Sequence, residues 1–138
     1  MEFDQELAEV REELSKSPEL VAAGVPSLSD ELSRLAEISP TSAVLEAFSR
    51  IEVRLAEVLV EADVPFVRMS AKWMAREARS KGLISDETFA AVDGLAVLRN
   101  LAAHSPRDEI DTARSRDYLT LAEAVLFALH PKPDGAGS

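Results

Sequence analysis

The sequence contains no cysteine. That excludes a disulfide framework and a thiolate nucleophile. With only two histidines, it also lacks the donor set of a structural zinc centre. Aromatic residues make up 5% of the chain, with one tryptophan and one tyrosine. No apolar run reaches the length of a membrane span, and no secretory-signal pattern opens the sequence. A glycine-rich phosphate loop and a G-x-S-x-G nucleophile turn are both missing. A cytoplasmic protein without metal or cofactor is the expectation from these absences.

A basic excess is missing as well: the formal net charge is −10. Residues 1–64 hold 15 acidic and 5 basic side chains, while residues 65–138 hold 10 of each. The acidity belongs to the first half. The balanced second half remains open to a polyanionic ligand.

Leu, Ala, Val and Glu dominate what is present, which favours helices over strands. In "EFDQELAEVREELSKS", Phe3, Leu7, Val10 and Leu14 recur at 4-3-4 spacing, the mark of an amphipathic helix. Two heptads do not make a stable helix alone, so this one is expected to dock. Residues 27–39 predict a second short helix with Leu28, Leu32, Leu35 and Ile38 on one face. The longest pattern is "SPTSAVLEAFSRIEVRLAEVLVEAD" (39–63), with Ser39 as N-cap and Pro40 at the first helical position. Its stripe is Val44, Phe48, Ile51, Leu55 and Val58, widened by Leu45 and Leu59, and Val64-Pro65 ends it.

A helix over 70–81 carries Trp73, Met74 and Ala78, with Gly82 as its stop. Ser85 caps the next, whose core face takes Phe89, Val92, Leu95 and Ala96, then Leu98 or Leu101. The last helix, 111–129, aligns Tyr118, Leu121, Val125 and Leu129. Asp108, Glu109 and Asp111 read as its turn and cap residues rather than as a metal site. His130 lies in the Pro- and Gly-rich tail, where nothing assigns it a role. No segment reads as a strand. The fold class is all-α, an antiparallel helical bundle with short connections.

One stretch interrupts the apolar pattern. "LRNLAAH" (98–104) puts Arg99, Asn100 and His104 at the end of an otherwise Leu-, Val- and Ala-rich helix. Asn100 and His104 share a face, one turn apart. The structural reading is a helix end in which His104 complements the macrodipole and Asn100 satisfies loose carbonyls. The chemical reading starts from the context. An Arg, a polar residue directly after it, and a His five positions past the Arg, at the end of a late helix with one long helix following, resembles the signature of the HEPN superfamily. The upstream "SPTSAVLEAFSRIEVRLAEVL" is similar to the first long helix of one bacterial branch of that family.

The resemblance covers about residues 39–130. It divides the chain into N-terminal amphipathic helices (1–38), a HEPN-like bundle (39–130) and a tail (131–138). It implies a metal-independent endoribonuclease of a toxin–antitoxin, stress or phage-defence system. Arg99 would anchor phosphate, Asn100 would orient, and His104 would be the general acid or base. It further implies a homodimer in which paired motifs face one cleft, RNA as ligand, an antitoxin or other partner protein, and no action on DNA. A toxin branch with a Tyr two residues after the His has Pro106 in its place here, so that branch's control does not carry over. The competing class is a non-catalytic helical dimerisation or sensor module that keeps "RNLAAH" as a cap.

Arg68, Lys72, Arg76 and Arg79 recur at spacings of 4, 4 and 3, a basic stripe that could follow an RNA backbone. Its plainer reading is a solvated face pairing with the acidic first half. Trp73 and Tyr118 could stack on bases, but both fall on apolar faces and are expected in the core.

Overall fold

The computed structural model describes residues 2–16, 30–65, 70–104 and 110–129. Among these, six helices and no strand are present: α1 (Glu2–Ser15), α2 (Asp30–Ile38), α3 (Pro40–Glu61), α4 (Ala71–Ser80), α5 (Asp86–His104) and α6 (Thr112–Leu129). The chain is an all-α bundle, as its composition and periodicity predict. No helix among the described residues is long and apolar enough to cross a membrane. Leu28, Arg68, Asp108, Glu109, His130 and the segment 131–138 lie outside the described residues.

Local chemistry explains the boundaries. Pro40 stands at the first turn of α3, behind Ser39. The Ser39 hydroxyl donates to the Ser42 hydroxyl, 2.7 Å away, instead of accepting from the helix backbone. Helix α3 stops two residues before Val64-Pro65, through Ala62 and then Asp63 in the left-handed region at φ 57°. The Val64 N–H donates to the Leu59 carbonyl and the Asp63 N–H to that of Val60, closing the turn as a Schellman motif does. The same pair of bonds ends α4, from Leu83 to Ala78 and from Gly82 to Arg79, with Gly82 at φ 73°. Ser70, Ser85 and Asp111 act as N-caps, accepting from the backbone N–H of Trp73, Thr88 and Arg114 respectively.

Helices α3, α5 and α6 form the centre. Each remaining helix seals one of the three seams between them: α2 lies on α3 and α6, α1 on α5 and α6, and α4 on α3 and α5. Consecutive helices α5 and α6 fold back on one another, as a short connection demands. Helices α3 and α6 run in the same direction. The Ser115 hydroxyl donates to the Pro40 carbonyl (2.8 Å), and Arg54 Nε donates to the Leu129 carbonyl (3.1 Å). Both pairs are 75 residues apart in the chain, so the two helices keep one register along their length.

The predicted apolar faces are buried at Phe3, Leu7, Val10 and Leu14, at Val44, Phe48, Ile51, Leu55 and Leu59, and at Tyr118, Leu121, Val125 and Leu129. In α5 it is Leu98, not Leu101, that is fully buried. Helix α1 therefore shares one core with residues 39–129. Ile38 departs from its expected face and is 81% exposed, because α2 presents Leu32 and Ala36 to the bundle instead. Val58 and Leu45 are only partly buried, and Ala43 and Ala47 take the closer positions against the neighbouring helices.

Gly94 marks the closest helix approach. A Cβ there would run into Val10 Cγ2 of α1, and Val10 is buried. Two predictions follow from this packing. Phe48→Ala should cost about 3–5 kcal/mol in denaturant unfolding, through lost burial and a residual cavity. Gly94→Ala should destabilise the chain, and hydrogen exchange across residues 2–15 should speed up, despite the better helix propensity of alanine. Adding Val10→Ala should restore slow exchange at the remaining α1 amides.

Candidate functional site at the end of helix five

Helix α5 presents its side chains in three different directions. Ala91, Leu95, Leu98 and Ala102 point into the core. Val97 (42% exposed), Asn100 and His104 point away from it, and with Leu101 they line an open concavity at the helix end. Arg99 takes a third direction. Five residues at helical pitch separate it from His104 by about 140° around the axis, and it is absent from that concavity.

Its guanidinium nevertheless turns back toward the motif. Arg99 Nη1 donates to Asn100 Oδ1 at 3.3 Å. Asn100 thus faces the guanidinium on one side and the concavity shared with His104 on the other. Among the described residues, no hydrogen bond joins Asn100 to the imidazole. His104 is exposed in the last turn of α5.

Tyr118 anchors this end of the helix from below. It is fully buried, and its hydroxyl donates to the Leu95 carbonyl at 3.0 Å, one turn ahead of Arg99. Burial pushes the phenol pKa well up, the nearby Arg99 cation opposes that, and the Glu52 carboxylate of α3 adds to it. The expectation of a core Tyr118 is met, so it offers no face for stacking a base. Trp73 differs: it is 48% exposed, because Ala71, Met74, Ala75 and Ala78 are the residues α4 buries.

The basic stripe is only partly assembled with the motif. Lys72 reaches Asp93 of α5 at 3.5 Å, and the Arg79 guanidinium lies 3.9 Å from the centre of the Phe89 ring. Arg76 is exposed. Lys72 therefore sits at the level of Asp93, about 16 Å along α5 from His104 at 1.5 Å per residue. The described stripe and the "RNLAAH" triad do not share one pocket.

Two further features are not among the sequence expectations. The first is Arg54, which is 9% exposed within the α3 face. Besides capping Leu129, its Nη1 donates to Glu57 (2.9 Å) and Glu61 (3.2 Å), while Nη2 is buried without a partner among the described residues. Its signal was the pair of carboxylates three and seven residues later. The second is an acidic groove between α1 and α5. Glu6 there has its carboxyl pKa raised, first by burial, then by a hydrogen bond with Glu9 and by the charges of Glu9 and Asp93.

These observations define a class: an all-helical bundle with a half-buried Arg and an exposed Asn and His on one helix end, braced by a buried tyrosine. Comparison with family models, curated proteins and solved structures found no match in any of the three. The functional reading accordingly rests on the residues themselves.

The tyrosine brace carries its own test. A phenol whose pKa is raised on folding contributes stability that is present below its unfolded pKa of about 10 and lost as pH rises beyond it. Stability should therefore fall above about pH 10, and Tyr118→Phe should remove that part of the alkaline loss. At neutral pH the same substitution should cost about 0.5–1.5 kcal/mol for one buried hydrogen bond.

Proposed function

We propose that the chain is a HEPN-type, metal-independent endoribonuclease. The observation that supports this most is the triad itself, with Asn100 and His104 exposed and Arg99 half-buried. Arg99 and His104 leave opposite flanks of one helix end, and Asn100 touches the guanidinium while lining the same concavity as the imidazole. RNA supplies its own nucleophile, the 2′-hydroxyl. Cleavage then requires one proton to leave that hydroxyl as the O2′–P bond forms, and another to reach the 5′-oxygen as the P–O5′ bond breaks.

An imidazole titrates near neutral pH and suits either transfer. A guanidinium matches two phosphate oxygens with its planar fork and offsets the negative charge that gathers on them. One chain offers one imidazole at this site, so acid and base together require two copies. Among the described residues no Lys or Arg lines the concavity of Asn100 and His104, which favours short contacts to one scissile phosphate over tracking of a long backbone. The alternative, a non-catalytic dimerisation or sensor module, draws on a different observation: His104 in the final turn of α5 also serves as a favourable helix end.

The two readings separate in one experiment. Purified chain is incubated with total RNA in EDTA, beside His104→Ala, Arg99→Ala and Arg99→Lys. The nuclease reading expects cleavage with 2′,3′-cyclic phosphate ends and none on DNA, which lacks the nucleophile. His104→Ala should lower the rate about 10²–10⁴-fold with an unchanged melting temperature, and Arg99→Lys should not restore full rate. Intact RNA with wild type, together with a lower melting temperature for His104→Ala, would support the module instead.

A further inference from the structure

The concavity at the end of α5 is lined for a ring rather than for a phosphate. Val97 and Leu101, one turn apart, supply its apolar surface, and Asn100 and His104, also one turn apart, supply its polar edge. Its volume is about 330 Å³, at the small end of the range for ligand pockets. Among the described residues no Lys or Arg lines it. A phosphate would find no permanent countercharge there. A nucleobase matches the lining, with two apolar faces and hydrogen-bonding atoms around its rim.

The surroundings divide a nucleotide in the same way. The Arg99 guanidinium leaves α5 on another flank and is absent from the lining. Beyond Val97, the groove against α1 carries Glu6, Glu9, Glu13 and Asp93. Lys72 pairs with Asp93, so the groove keeps an excess of negative charge that repels a phosphate chain. A bound strand therefore sets its base over Val97 and Leu101 and its phosphate toward Arg99, with Asn100 between the two.

The orientation of the Asn100 amide determines which base suits the slot. Arg99 Nη1 donates to Asn100 Oδ1 at 3.3 Å. A guanidinium offers only donors, so the amide turns its carbonyl oxygen toward Arg99; the reverse would set N–H against N–H. The NH₂ group is left for the concavity, and among the described residues it has no hydrogen-bond partner. An unbraced amide serves as donor and acceptor together, the pairing that reads adenine through N6 and N7. The braced amide presents a donor alone. Guanine answers it with O6 beside N7, and uracil with O4, whereas adenine and cytosine carry an amine on that edge.

We propose that this concavity is a base slot selective for the keto-bearing bases of RNA, guanine and uracil, and that Asn100 Nδ2, held in orientation by Arg99, selects them. The inference deepens the ribonuclease reading and takes from it that the ligand is RNA. Asn100 is then a specificity-determining residue that touches the base. Arg99 has two tasks, contact with the phosphate and fixing the amide of its neighbour.

The test titrates the full chain with the four nucleoside 3′-monophosphates, which share one phosphate and differ only in the base. Dissociation constants are read from the amide chemical shifts of residues 97–104. The guanosine and uridine compounds should bind about 2–10-fold more tightly than those of adenosine and cytidine, the worth of one net hydrogen bond. Asn100→Asp replaces the NH₂ by an acceptor of the same shape. Its added negative charge weakens all four, and the order should invert to favour adenosine and cytidine. Asn100→Ala and Arg99→Ala should bind all four alike, the first by removing the donor and the second by freeing the amide to turn. Unchanged amide shifts elsewhere in the chain show that the variants fold.

On total RNA, the cut ends should carry guanine or uracil at one fixed position beside the scissile bond. Equal binding of the four compounds by wild type would overturn the slot. So would an order that Asn100→Asp leaves unchanged, or no binding at millimolar concentration. The two readings fail separately. Selective binding without cleavage supports the slot and counts against the nuclease alone. Cleavage indifferent to base, with equal binding of the four, counts against the slot alone.

Discussion

Everything in this bundle hangs on the pairing of α3 with α6. Two side chains tie these helices at opposite ends, Ser115 to the Pro40 carbonyl and Arg54 to the Leu129 carbonyl. Each net contribution is of the order of 1 kcal/mol, but leaving either buried group unpaired would cost its desolvation. Arg54 does more than close a bond. It brings positive charge to the carbonyl end of α6, where the helix dipole favours it. Its charge is itself balanced by Glu57 and Glu61, so the buried cation is not stranded.

With that pair in register, α5 has one place to lie, and the three seams of the trio each need a cover. The three shorter helices provide it. This arrangement explains why α1, too short to persist alone, is ordered: its four apolar residues fill the α5–α6 seam. The Asp4–Arg114 pair then sets its direction. It also explains why α5 keeps an open outer strip. Its two flanks are occupied by α1 and α4, and the strip between them stays open from Ala90 to His104.

The triad at the end of α5 combines rigidity with exposure. Tyr118 holds the preceding turn from the core, while Arg99, Asn100 and His104 remain at the surface. That is the condition for positioned chemistry: groups free to meet a ligand on a backbone that does not move away from it. The acidic groove, the Lys72–Asp93 pair and the Asn100–His104 end succeed one another along the outside of α5, while Arg99 leaves the helix on another side.

Periodicity alone determined most of the helices and their buried faces, because a 3.6-residue repeat is a local property that burial only has to respect. The caps at Ser85 and Asp111 were equally legible, since each needs one side chain and the next turn of backbone. The shared face of Asn100 and His104 follows from spacing as well. Tertiary structure decided what spacing leaves open. Ile38 and Trp73 sit at plausible core positions, yet which part of a short helix touches the bundle depends on the seam it covers. Arg54 looked like a break in an apolar stripe until α6 ended beside it. The shared direction of α3 and α6 involves helices that are not neighbours in the chain, so no loop length encodes it. The acidic groove beside α5 is likewise a property of two helices side by side, and no single segment of the sequence contains it.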